Sequence, residues 1–188
     1  MKVPVGVSNR HLHLSRKDLE ILFGTGYELT VMKDLCQPGQ YAAQETVTLL
    51  GPKGELEKVR VLGPVRSATQ VEVSMTDSFK LGIKAPLRES GDLKAAPGIR
   101  IRGPQGEVEV SEATILAWRH IHIHTSEAEQ LGVKDREMVN VHIPGDRSMT
   151  LHNVIVRVRP DFALEFHVDT DEANACGLKN GDTVEISK

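Results

Sequence analysis

The sequence predicts a mainly β fold, a barrel or sandwich whose ends are closed by short α-helices. Three observations carry that expectation. Apolar and polar residues alternate with a period of two along much of the 188-residue chain. A turn of the form Gly51-Pro52-Lys53-Gly54-Glu55 recurs as Gly103-Pro104-Gln105-Gly106-Glu107, each time between two alternating segments, as a hairpin requires. Helical patterns, by contrast, are brief and stopped by glycine.

In order, Val3 to Leu14 alternates as a strand, with Pro4 tolerable near its start or on an edge. Ser15 then caps a two-turn helix carrying Leu19, Ile21, Leu22 and Phe23, which Gly24 and Gly26 stop. Residues 27–44 read as irregular, apart from a short strand Leu29–Met32 and a turn Gln37-Pro38-Gly39-Gln40. Thr46–Leu50 and Leu56–Leu62 flank the first Gly-Pro turn; Gln70–Met75 is the next strand. Ser90–Gly98 is a loop, and Ile99–Arg102 and Glu107–Val110 flank the second turn. Ser126–Leu131 is a helix ended by Gly132. Val139–Ile143, Ser148–Val158 and Ala163–Val168 are strands. Thr170–Cys176 is a helix ended by Gly177, and Asp182–Ile186 closes the chain.

Composition narrows the function. Hydrophobic residues at 39% and charged residues at 26% describe an ordinary globular protein with a core. A net charge of −3 and only 4% aromatic residues speak against a nucleic-acid surface, which needs a basic balance and stacking platforms. The two cysteines, Cys36 and Cys176, are far apart and form neither a disulfide framework nor a zinc knuckle. No apolar run reaches the ~20 residues of a membrane helix. The first residues lead straight into a strand, so a cytosolic protein without a signal peptide is expected.

Arg10-His11-Leu12-His13-Leu14 returns as Arg119-His120-Ile121-His122-Ile123-His124, and these runs hold five of the eight histidines. On a strand, residues two apart share a face, so His11 projects with His13, and His120 with His122 and His124, while the aliphatic residues point the other way. One His-x-His is often just a solvated polar face. Two copies, each preceded by arginine, point to a metal or anion site. A second echo links Val71-Glu72-Val73-Ser74-Met75-Thr76-Asp77 to Phe166-His167-Val168-Asp169-Thr170-Asp171, with one residue of slack before Thr-Asp. It pairs Glu72 with His167. Each half then offers two histidines and one further donor, and three protein ligands with an open position is the pattern of a catalytic zinc. His142 and His152 read as structural. Asp169, Thr170 and Asp171 read either as partners that orient a histidine or as helix caps.

Four stretches carry a resemblance to a known family: Val7–Leu14, Leu62-Gly63-Pro64-Val65-Arg66-Ser67-Ala68-Thr69-Gln70-Val71-Glu72, Arg119–His122, and His167-Val168-Asp169-Thr170-Asp171-Glu172-Ala173-Asn174. In them the sequence resembles the Pdu-type phosphotransacylases, the phosphate propanoyltransferase family of bacterial 1,2-propanediol metabolism. The resemblance implies two tandem β-barrel domains: residues 1–9 plus 118–188 in one, and 10–117 in the other with an irregular insertion at about 24–44. It implies two zinc ions per chain and the reaction acyl-CoA + phosphate ⇌ acyl phosphate + CoA, with a propanoyl or acetyl group. By the same resemblance His11, His13 and Glu72 hold one zinc, leaving a position for the CoA sulfur. His120, His122 and His167 hold the other, and Arg66 receives phosphate as the catalytic and substrate-binding arginine. His124 stands where the family commonly has methionine and is not counted as a ligand. A homodimer is implied, with acyl-CoA, CoA and phosphate as the small-molecule partners and no nucleic acid or membrane. Encapsulated members carry an amphipathic N-terminal extension; this chain begins at its first strand, so a free cytosolic enzyme of propanediol or acetate metabolism is expected.

The chemistry expected of that set is direct displacement in a ternary complex: phosphate oxygen attacks the thioester carbonyl and CoA thiolate leaves. Two other functions use the same residues. A zinc hydrolase of thioesters or acyl phosphates needs only water as the nucleophile, and a non-catalytic zinc-stabilised barrel needs no turnover at all.

Overall fold

A computed structural model describes residues 2–187. The chain opens with β1 (Lys2–Ser8), β2 (His11–His13), α1 (Arg16–Phe23), β3 (Val31–Asp34), β4 (Tyr41–Leu50) and β5 (Glu55–Gly63). There follow β6 (Gln70–Glu72), α2 (Met75–Leu81), β7 (Leu87–Arg88), β8 (Ile99–Arg102), β9 (Glu107–Val110) and β10 (Thr114–Ala117). The last third holds β11 (His120–Ile123), α3 (Thr125–Leu131), β12 (Met138–Ile143), β13 (Met149–Val158), β14 (Glu165–Asp169), α4 (Thr170–Cys176) and β15 (Thr183–Ser187). The fold is mainly β with short helices. Two compact units divide it: one takes the chain through Ser8, the stretch Cys36–Pro38 and everything from Trp118 on, and the other takes Asn9–Leu35 and Gly39–Ala117.

The first unit is a closed barrel in the order β1-β14-β11-β13-β12-β15. β1 runs parallel to β14 and antiparallel to β15, so the N-terminal strand completes a barrel otherwise made by the C-terminal third of the chain. Val5, Ile121, Ile123, Val156, Phe166 and Val168 are among the buried residues of its core. Phe166 is fully buried, and truncating it to alanine would cost about 3–5 kcal/mol. The second unit is a curled, open nine-stranded sheet in the order β7-β10-β6-β2-β5-β4-β8-β9, with β3 paired to β4. Leu12, Leu14, Val61, Val71, Leu49 and Ile101 are among its core residues.

Some elements differ from the sequence expectation. The single strand expected over Val3–Leu14 breaks at Asn9-Arg10, because its two halves belong to different units and pair with different neighbours. The strand Gln70–Met75 stops at Glu72. Ser74 instead starts a helix that alternation alone hides: its hydroxyl accepts from the Asp77 amide, and the Asp77 carboxylate accepts from the Ser74 amide. The strand placed at Leu29–Met32 lies at Val31–Asp34 and pairs with the start of β4, which begins at Tyr41 rather than Thr46, so less of that stretch is irregular than the sequence indicates. β7 and β10 had no counterpart in the expectation. α1, α3 and α4 fall where capping predicts.

The Gly-Pro turns have a second use beyond joining strands. Lys53 N donates to Leu81 O at the end of α2 (3.1 Å), and Gln105 N donates to Leu22 O near the end of α1 (2.9 Å). Each turn thus satisfies a carbonyl that a helix C-terminus leaves open. A β-carbon on Gly51 would lie 2.2 Å from Leu81 O, and one on Gly103 would lie 2.5 Å from Leu22 O, which explains the glycine at both places.

Candidate active site

Two clusters of donors form, one in each unit, and they are built by one rule. His11 and His13 on β2 meet Glu72 on β6, whose Cα lies directly across from His11. His120 and His122 on β11 meet His167 on β14, directly across from His120. Within each set the potential ligand atoms lie within 4.8 Å of one another. In both runs the intervening aliphatic residue is fully buried in the core, which fixes the strand's face and turns the imidazoles together.

The hydrogen bonds repeat as well. His11 Nδ1 meets Asn9 O at 2.8 Å, and His120 Nδ1 meets Trp118 O at 2.7 Å. A carbonyl can only accept, so in both rings the proton sits on Nδ1 and Nε2 keeps its lone pair. His13 Nδ1 and His122 Nδ1 are buried and have no hydrogen-bond partner among the described residues. A buried nitrogen without a partner is costly, and a metal would supply the partner these two lack.

The electrostatics keep the rings neutral. Burial, then the neighbouring His11 and Arg66, push the His13 pKa down to about 2. Burial and His167 push His120 down to about 3. Burial together with His120, His167 and the nearby arginines push His122 lower still. A neutral imidazole is the ligating form, so no proton competes with a metal for these three at neutral pH.

Arg66 belongs to the first cluster's surroundings. Its Nη1 donates to Ser90 Oγ (3.3 Å), which also accepts from Gln70 Nε2 (2.8 Å), and Gln70 Nε2 donates in turn to Glu72 Oε1 (2.6 Å). The Gln70 carbonyl accepts from Gly91 N at 2.7 Å, so this buried amide is fixed at both ends. Gln70 sits across from His13; the matching position in the other cluster, across from His122, is Glu165. Phe162 packs on His122 with ring centroids 4.3 Å apart.

The arginines preceding the histidine runs do a different task. Arg10 grips Asp77 with Nε and Nη2 (2.9 and 2.8 Å), and Arg119 Nη1 reaches Glu172 at 2.7 Å. Both acids are the third residue of a capping box, on α2 and α4. From Glu72 to Gly82 and from His167 to Gly177 the two halves therefore align without a gap, with Ser74 matching Asp169 and Asp77 matching Glu172. The slack needed to align the two Thr-Asp pairs is not real. Asp169 caps α4, accepting from Glu172 N.

His124 stands apart from the cluster: it is the N-cap of α3, its Nδ1 accepting from Ser126 N at 3.2 Å. His142 and His152 are exposed and pair with Thr150 and Asn140.

A family model for phosphate propanoyltransferase matches residues 4–179. This chain belongs to the phosphate propanoyltransferase family. A relative from Thermotoga maritima with the name phosphate propanoyltransferase is 62% identical over 183 residues, 97% of this chain and 87% of the relative. Relatives of the same name from Rhodopseudomonas palustris and Salmonella typhimurium are each 55% identical, covering 100% and 95% of this chain and 83% and 85% of their own. Sequence reasoning about the family's motifs missed Gln70, Ser90, Gln37 and Glu165. Gln70 and Glu165 both lie two residues before a third donor, on the same face of its strand, and that spacing was the available signal. Ser90 and Gln37 come from loops and leave no periodic trace.

Proposed function

We propose that this enzyme interconverts propanoyl-CoA plus phosphate with propanoyl phosphate plus CoA, and accepts acetyl-CoA in the same reaction. The observation that carries the reading is the pair of three-donor clusters, each with one buried, orphaned imidazole nitrogen, in a chain of this family. The donors fit zinc: His11, His13 and Glu72 would hold one ion, and His120, His122 and His167 the other. When bound, zinc with an open position supplies a soft site for thiolate sulfur and Lewis-acid polarisation of oxygen.

The chain's own residues do the rest. Arg66 offers a planar, permanently charged fork that matches phosphate geometry, and its hydrogen bond to Ser90 ties it to the Gln70–Glu72 pair. Phosphate held there keeps an oxygen available to attack the thioester carbonyl directly, and the burial of the histidines keeps water from competing at their nitrogens. No covalent acyl-enzyme is required. The free thiols Cys36 and Cys176 support a reducing, cytosolic setting, and a homodimer is the assembly we expect by light scattering.

The test is CoA release from acetyl-, propanoyl- and butanoyl-CoA with and without phosphate, with zinc quantified on the same sample. Phosphate-dependent release with acyl phosphate formed in equal amount, and about two zincs per chain, is the expected result. Release that ignores phosphate and yields free acid would replace the transferase with a hydrolase, and zinc without turnover would leave a structural barrel.

A further inference from the structure

One half-buried carboxylate beside the second cluster has no place in the ligand set. Glu165 shares a face of β14 with His167 and lies across from His122, yet the mutually close donors are His120, His122 and His167 without it. Its Oε2 lies 2.5 Å from His167 Nε2. We propose that Glu165 is a positioning residue for His167: it accepts the Nε2 proton and leaves the Nδ1 lone pair as the metal donor. The inference rests on the reading that this cluster binds zinc.

Two features hold the carboxylate in that role. Gly6 on β1 is the register partner of His167, and a β-carbon there would lie 2.8 Å from both Cδ and Oε1 of Glu165 and 3.1 Å from His167 Cδ2. A bare backbone at position 6 is what gives the pair its space. Gln37, which the chain brings to the barrel unit as part of the short Cys36–Pro38 stretch, donates from Nε2 to Ala163 O (2.9 Å) and accepts from Ala163 N (3.2 Å). The same Nε2 reaches Glu165 Oε2 at 3.4 Å.

The other cluster shows that the position is matched to its donor. There the residue two before the third donor is Gln70, whose Nε2 donates to the Glu72 carboxylate. An amide hydrogen suits a carboxylate donor, and a carboxylate acceptor suits an imidazole donor. Metal-bound histidines generally need such an acceptor to fix tautomer and orientation, and its loss lowers metal affinity about 10- to 100-fold.

The protein is tested in two ways. Long-range nitrogen-15 spectra of histidine-labelled, zinc-free protein should show His167 as the Nε2–H tautomer, identified by its loss in His167→Gln. Chelator competition should show that Glu165→Ala weakens zinc at this site about 10- to 100-fold while the other site is unchanged, and that Glu165→Gln, which keeps an acceptor oxygen, loses less. Gly6→Ala keeps Glu165 but displaces its carboxylate, and should weaken the same site. Thermal unfolding of the zinc-free variants separates a folding defect from a positioning one, since only the zinc-bound state should suffer. If His122→Ala loses a zinc while Glu165→Ala and Gly6→Ala bind as tightly as the wild type, or if His167 is the Nδ1–H tautomer, the positioning role is wrong though the metal site stands. If His122→Ala holds as much zinc as the wild type, the metal reading falls and this inference falls with it.

Discussion

The two donor clusters are the same device with one exchange. Each has a His-x-His strand, a backbone carbonyl that fixes the first ring, an orphaned Nδ1 on the second, a third donor across from the first, and a capping-box helix tied back by the preceding arginine. The exchange is between the third donor and the residue two before it: Gln70 and Glu72 in the open sheet, Glu165 and His167 in the barrel. Both pairs contain one carboxylate. In the sheet it is the donor; in the barrel it stands one layer behind. With zinc bound as proposed, the first ion would be partly neutralised by its own ligand, and the second, held by three neutral rings, would keep more of its charge for an oxygen ligand. Duplicated scaffolding can thus present two metals of unlike electrophilicity without changing the backbone.

Removing a second histidine should break the comparison most severely. His13→Ala and His122→Ala each delete the orphaned donor of one cluster, so each is expected to lose its own zinc, keep the other, and lower kcat by more than the roughly 100-fold upper range of outer-shell substitutions. Metal analysis with single-turnover kinetics checks this. Loss of both ions in either variant would mean that the clusters are not independent sites.

Acid separates the two units next. The folded pKa values of His13, His120 and His122 all lie below the ordinary 6.5. Between the folded and unfolded values the unfolded chain binds more protons, so in zinc-free protein their contribution is constant above about pH 6.5 and stability falls as the pH is lowered beneath it. At about pH 4.5 each such ring withdraws roughly 2–3 kcal/mol. The barrel has two of them and the sheet one, so the barrel should weaken about twice as much from this cause. Trp118, the chain's single tryptophan, lies in the barrel unit and reports its urea transition. A Trp118 midpoint that is equal at pH 7 and about pH 4.5 would refute the assignment of these rings as neutral and buried.

Much of this was legible in the sequence, for reasons that differ by residue. The histidine runs and the strands around them show because a period of two is imposed by one buried face, as Leu12 and Ile121 demonstrate. Helices α1 and α4 show through their caps. Helix α2 does not, because Val71, Val73 and Met75 continue the strand's alternation into a segment that Ser74 and Asp77 have already turned into a helix. The arginine of each run reads as part of a site, yet its partner is a capping acid tens of residues later in the chain, a pairing only the fold brings together. Gln37 is the extreme case: its partners Ala163 and Glu165 are 126 and 128 residues away.

The finest test of the comparison uses two arginines that hold equivalent backbone positions. Arg66 N donates to Leu14 O, one residue past His13, and Arg159 N donates to Ile123 O, one residue past His122. Their side chains differ. Arg66 joins the network around Glu72, whereas Arg159 spends its fork on both oxygens of Asp161 at 2.9 Å and lies 5.1 Å from the Phe162 ring centre. If phosphate is received by Arg66, Arg66→Lys keeps the charge but loses the planar fork, and the phosphate KM should rise roughly 10- to 100-fold, the equivalent of a charged hydrogen bond of about 1.5–3 kcal/mol. The KM for acyl-CoA should move far less. Arg159 is mostly exposed, and such surface pairs contribute about 0–1 kcal/mol, so Arg159→Lys should leave both KM values within about twofold. Equal rises in phosphate KM would remove the case for Arg66 as the specific phosphate receiver, and a larger rise from Arg159→Lys would move the phosphate to the barrel's arginine.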